Sequence, residues 1–173
     1  AIRTKYGPPS VLEVKEVAKP VPNENEVLVR VHATTVNRTD CGVLTGLPFI
    51  FRFFIGLFKP TLPITGTDFA GVVEAVGKKV TQFKAGDRVW GFNDQGLASQ
   101  AQYLTIGEDK AIATIPQNFG FAEAVACAEA AHYAINFLNK VTLTPGQKVL
   151  VNGATGGIGS AAVQLLKNQG IYV

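Results

Sequence analysis

The sequence contains no methionine, a single tryptophan and only two cysteines, Cys41 and Cys127. With no initiator Met, and with a final Ile171-Tyr172-Val173 that reads as the middle of a strand, the chain is expected to be a piece of a longer protein. Two distant cysteines cannot make a disulfide framework, so a reducing, cytoplasmic setting is expected. Metal-like cysteine clusters are missing too, and His32, His132, Cys41 and Cys127 have no ligand spacing. Charge of either sign is sparse: 16 Lys and Arg stand against 13 Asp and Glu, and basic pairs such as Lys78-Lys79 are isolated. A nucleic-acid partner is therefore not expected. No signal peptide is expected, since Ala1-Ile2-Arg3-Thr4-Lys5 leads straight into Tyr6-Gly7-Pro8-Pro9. The greasiest stretch, Leu47 to Phe58, is broken by Arg52 and followed by Lys59-Pro60. It falls short of the roughly 20 residues a spanning helix needs, so no membrane span is expected. It reads either as a helical loop packed on the body or lining a cleft, or as an interfacial helix touching lipid.

What is present is a globular chain, 47% hydrophobic and 17% charged, which argues against disorder. The first two-thirds are β-rich. Val27, Val29, Val31 and Ala33 alternate with Leu28, Arg30 and His32, the period of a half-buried strand. Phe69 to Val76, Arg88 to Phe92 and Gln100 to Ile106 read as further strands, separated by turns such as Ala85-Gly86-Asp87. Short strands at this spacing predict a partly open, barrel-like β domain over residues 1–120. Near Pro116 the texture changes. Phe121 to Cys127 and Glu129 to Lys140 are Ala-rich and helical in character. Lys148 to Asn152 reads as a short buried strand, Ile158 to Gln169 as a helix capped by Gly170, and Ile171 as the start of another strand. Strand, loop, helix and strand form one βαβ unit, so residues 121–173 are expected to be the incomplete beginning of an α/β domain.

Between that strand and helix lies Gly153-Ala154-Thr155-Gly156-Gly157-Ile158-Gly159. Glycines there allow a tight turn and close backbone approach to a pyrophosphate, while the helix start supplies free N–H groups and a positive dipole end. A Gly-rich run alone is weak evidence, and its strand-to-helix position strengthens it. The loop, Ala154 to Gly159, is the predicted dinucleotide site, although Ala154 stands where the first glycine of Gly-x-Gly-x-x-Gly would be. The residue that separates NAD from NADP follows the second strand, and is expected beyond Val173.

Several runs resemble the medium-chain dehydrogenase/reductase superfamily. They are Gly66-Thr67-Asp68-Phe69-Ala70-Gly71-Val72-Val73-Glu74-Ala75-Val76-Gly77, then Phe83-Lys84-Ala85-Gly86-Asp87-Arg88-Val89, and Asn37-Arg38-Thr39-Asp40. The resemblance covers essentially the whole chain. It implies a GroES-like β domain joined to a Rossmann domain. The branch that fits is the zinc-free quinone oxidoreductases, because zinc alcohol dehydrogenases place a Cys ligand at position 37 and a His ligand at 67, here Asn37 and Thr67. The lobe of four clustered cysteines is also absent. The resemblance implies NADPH as cofactor, with NADH possible, no zinc, a small hydrophobic quinone or enone substrate, and a homodimer for the full-length parent. The rival readings are a zinc alcohol dehydrogenase and an inactive, truncated binding fragment.

The candidate catalytic residues are Asn37, Thr39, Asp40, Glu129 and His132. Asn37 either donates to a substrate carbonyl or nicotinamide ribose, or stabilises a turn. Thr39 falls where zinc enzymes place a proton-relay hydroxyl, or it caps a helix. Asp40 takes part in the site or pairs with Arg38. Glu129 and His132, three apart on one helical face, form either an acid/base pair or a structural hydrogen bond. Trp90 and Phe92 line the cleft or pack in the core.

Overall fold

The computed structural model describes residues 1–96 and 98–173. They divide into two compact units, Ala1–Val125 and Ala126–Val173. The division falls five residues after the boundary expected at 120, inside a helix rather than before it.

The first unit is built on five antiparallel strands: β1 (Glu26–Thr34), β2 (Asp68–Val76), β3 (Arg88–Phe92), β4 (Tyr103–Gly107) and β5 (Ile112–Thr114). Their order is β4-β1-β2-β3-β5, so the sheet has two edges and does not close into a barrel. β3 matches the sequence reading residue for residue. β4 starts three residues later than expected, because the Gln100 backbone N–H goes to the Thr65 carbonyl at 2.9 Å rather than to the β1 ladder.

Period-two alternation places Val27, Val29, Phe69, Val73, Val89, Leu104 and Ile106 on one face, where they form the main core. Central strand β2 is covered on its other face as well. There Ala70 packs with Ile115, Ala124 and Val125. His32 stacks on Phe121 with ring centroids 4.5 Å apart. Phe92 is buried and Trp90 packs beside Ala70, so both belong to cores.

β1 carries two irregularities against β2, the second lying between Val31 and Ala33. There two residues of β1 advance while β2 advances one, a bulge at His32 that re-aims the strand end. Thr34 then donates to the Asp68 carbonyl at 2.8 Å, and Thr35 and Asn37 follow it out of the sheet.

Helix α1 (Arg38–Thr45) starts at Asn37 and ends at Gly46, whose φ of 64° gives the left-handed turn that closes a helix. The Leu47–Phe58 stretch forms a 3₁₀ turn, Phe49–Phe51, and a one-turn helix, α2 (Arg52–Ile55). It is helical as expected and is anchored to Tyr6 at its base, while its tip is open: Phe54 is 82% exposed and Phe58 89%.

The second unit takes up α3 (Phe121–Leu138) from Ala126 onward, and α4 (Gly157–Asn168). The two Ala-rich stretches are one continuous helix, since Ala128 between them is itself a strong helix former. Lys148–Asn152 is not a strand. Only a parallel bridge, Lys148 to Tyr172, forms there, and Leu150 is 95% exposed. A parallel strand needs neighbours on its sides and cover on both faces, and Tyr172 supplies one neighbour. Gly170, at φ 73°, follows α4 as predicted. Both cysteines are free. Among the described residues no helix is long and apolar enough to cross a membrane.

Candidate functional site

In the first unit, the end of β1, the start of α1 and the start of β2 meet in a small polar cluster. Asn37 is the N-cap of α1. Its side-chain oxygen accepts from the Asp40 N–H at 3.0 Å, and the Asp40 carboxylate accepts from the Asn37 N–H at 2.9 Å. This is a reciprocal capping box. The helix-capping role expected of Thr39 thus belongs to Asn37, with Thr39 inside the first turn.

The other end of the Asn37 amide points into the cluster. Its Nδ2 lies 2.9 Å from the Thr67 hydroxyl, 3.1 Å from Asp68 Oδ2 and 3.4 Å from the Thr35 hydroxyl. Thr35 also donates to Asp68 Oδ2. Thr67 and Asp68 are buried. Two amide hydrogens therefore face three acceptors, and the amide oxygen is taken by the helix start. Asn37 holds β2 to α1 with its whole side chain.

Sequence reasoning missed Asp68 and Thr35. An acid opening a buried strand resembles an ordinary turn residue. Its signal was its place beside Thr67, in a run otherwise apolar. Positions 37 and 67 carry an amide and a hydroxyl bonded to each other, a donor set that does not suit Zn²⁺, which takes thiolate, imidazole or carboxylate. Among the described residues no group of three His, Cys, Asp or Glu could hold a metal ion.

The second unit gathers the other candidates. The loop Gly153–Gly159 is exposed from Gly153 to Ile158. Gly153 has φ 78°, and the Gly156 N–H closes a turn onto the Gly153 carbonyl at 3.1 Å. A Cβ at Gly159 would sit 2.2 Å from that carbonyl and 2.8 Å from Ala154 Cα. Only glycine lets the helix start fold over the turn this tightly.

Gly156 is the N-cap of α4 with no side-chain cap, and the first turn contains no acidic residue. The N–H groups of the first turn have no intrahelical partners and carry the positive end of the dipole. This start suits a pyrophosphate, and the residues present fit a dinucleotide.

A Cβ at Gly157 would lie 3.7 Å from Ala130 Cβ. The start of α4 therefore comes against α3 at Ala130, between Glu129 and His132. His132 Nε2 lies 3.0 Å from Asn136 Nδ2, one turn further along α3. This contact ties His132 to the next turn of the same helix. Thus Asn37, Thr39 and Asp40 come together in one unit, and Glu129, His132 and the loop in the other.

The alcohol dehydrogenase GroES-like domain family matches residues 23–137. A quinone oxidoreductase of Sus scrofa is 36% identical over 177 residues, covering 100% of this chain and 51% of its own. A 2-methylene-furan-3-one reductase of Solanum lycopersicum is 36% identical over 95% of this chain and 43% of its own. The solved structure of Escherichia coli quinone oxidoreductase complexed with NADPH superposes with a TM-score of 0.79 at 29% identity. It covers 98% of this chain and 49% of that one. The chain spans about half the length of the curated relatives it matches.

Proposed function

We propose a function from one premise: this chain belongs to the alcohol dehydrogenase GroES-like domain family, within the medium-chain dehydrogenase/reductases. The protein is an oxidoreductase that reduces quinones or activated alkenes by hydride transfer from NADPH, without zinc. The observation that carries this reading is the uncapped start of α4, set against Ala130 between Glu129 and His132. The quinone oxidoreductase and furanone reductase relatives support the substrate class.

NADPH supplies a hydride when bound. The chain's own residues bind and orient it. The N–H groups at the start of α4 would hold the pyrophosphate, and the bare backbone at Gly156 and Gly157 would let it come close. Hydride addition to an enone or quinone builds negative charge on oxygen, which a prepositioned donor must stabilise. Asn37 is a positioning residue for that task, because its amide is held by Thr67, Asp68 and Asp40. It fixes the start of α1, whose first turn carries Thr39. Glu129 and His132 are the candidates to hold and return a proton on α3.

The metal-free part of the proposal rests on the Asn37–Thr67 hydrogen bond at the two positions where zinc enzymes place ligands. The test is NADPH oxidation by the full-length natural protein, with a quinone and an enone, alongside zinc quantification. Turnover that survives chelation in zinc-free protein is the expected result. Stoichiometric zinc whose removal abolishes turnover overturns the metal-free reading. No turnover with either substrate class overturns the proposal.

A further inference from the structure

The stretch from Leu47 to Phe58 forms a protrusion of bulky apolar side chains. Phe53, Phe54 and Phe58 are 67%, 82% and 89% exposed, and Phe49 and Ile50 are more than half exposed. Such exposure leaves these side chains standing clear of the rest of the described residues. Runs of exposed apolar residues this dense mark interaction sites.

The protrusion is held firmly at its base. The Tyr6 hydroxyl donates to the Ile55 carbonyl at 3.1 Å and to that of Gly56. Arg52 donates to the Gly46 carbonyl at 3.2 Å and lies 4.6 Å above the Tyr6 ring. Thr61 returns the chain with a 2.9 Å bond to the Ile55 carbonyl. Phe49 and Phe53 meet edge to face at 6.0 Å. The phenylalanines are thus presented by a braced scaffold.

Charge identifies the partner. From Cys41 to Thr67 there is no Asp or Glu, and the two charged residues, Arg52 and Lys59, are both cationic. Lys59 is exposed beside Phe58. Exposed aromatic groups beside Lys59, with Arg52 committed to the base and no acid from Cys41 to Thr67, suit a deformable apolar medium under anionic headgroups. A small apolar ligand would instead need a concave site.

We infer that the Phe49–Phe58 protrusion is a membrane-docking element that inserts its phenylalanines into the surface of a bilayer containing anionic lipid. The inference does not depend on the proposed oxidoreductase activity. The test is flotation of the full-length natural protein with phosphatidylcholine vesicles, with and without phosphatidylglycerol. Wild type is expected to float with the anionic vesicles. F54E/F58E changes only highly exposed side chains, so it should keep the wild-type melting temperature and lose at least tenfold in partitioning. K59E should weaken binding to anionic vesicles only.

Failure of wild type to float with either vesicle overturns the inference, as does undiminished flotation of F54E/F58E. Self-association that F54E/F58E abolishes in place of vesicle binding makes the surface an interface between copies, and also overturns it. A thiol probe that cannot reach F54C without vesicles means that another part of the protein covers the tip, and overturns it too.

Discussion

At the scale of single residues, Asn37 is the side chain on which most depends. It caps α1, and it donates toward a carboxylate, Asp68, that is only 2% exposed. N37A removes a cap, about 1 kcal/mol, and leaves a buried acceptor short of a donor, about 1–2 kcal/mol. Urea unfolding should show a loss of about 2–3 kcal/mol. N37D keeps the cap acceptor but sets a second carboxylate beside Asp68, so its deficit should shrink as the pH falls and one carboxyl takes up a proton. A pH-independent deficit would rule that out. Tyr6 offers a second test. Burial raises its pKa above 10.0, with Arg3 and Arg52 pulling the other way. A raised folded pKa gives stability that is full below the unfolded value, near 10, and lost as pH climbs through the folded one. Melting curves of wild type should therefore fall faster than those of Y6F in that alkaline range, because an ionised Tyr6 cannot donate to Ile55 and Gly56.

Among the elements, β2 and the loop before α4 matter most. Phe69 is wholly enclosed between the strands. F69A leaves a cavity and should cost about 3–5 kcal/mol in a denaturant titration. G159A would drive a Cβ to 2.2 Å from the Gly153 carbonyl, backbone that cannot yield cheaply. It should weaken NADPH binding to the full-length protein at least tenfold, measured by cofactor fluorescence, and wild-type affinity would remove the loop from the site. The elements also divide by how readable they were. β3 was legible to the residue because a Gly86 turn fixes its start and a buried run follows. β5 was not, since three residues show no period. α1 is eight residues long and contains Gly42, so its only clear sign was the Asn37-Arg38-Thr39-Asp40 box itself. Lys148–Asn152 read correctly as apolar, but a ladder depends on its neighbours, which local sequence does not contain. At the candidate site, the tight glycine turn before α4 was legible because glycine spacing is local. The polar cluster was not, because Asn37 reaches Thr67 and Asp68 across thirty residues of chain.

For the whole molecule, the two units differ in how they are held. The first has a five-stranded sheet over a core of Val27, Val29, Phe69 and Val89, all fully buried. The second rests on two helices and one parallel bridge. Amide exchange of the 173-residue chain should therefore be slowest in β1 and β2 and fastest between residues 141 and 157, and equal protection throughout would contradict this. For descent by single substitutions, the Thr35–Asn37–Thr67–Asp68 network is a barrier. A cysteine at 37 strips α1 of its start and Asp68 of a donor before any metal can bind. An imidazole at 67 must first displace a hydroxyl that has no free space around it. Each step is harmful alone, so a lineage with this network is isolated from a zinc-binding one by an epistatic valley that only joint replacement crosses.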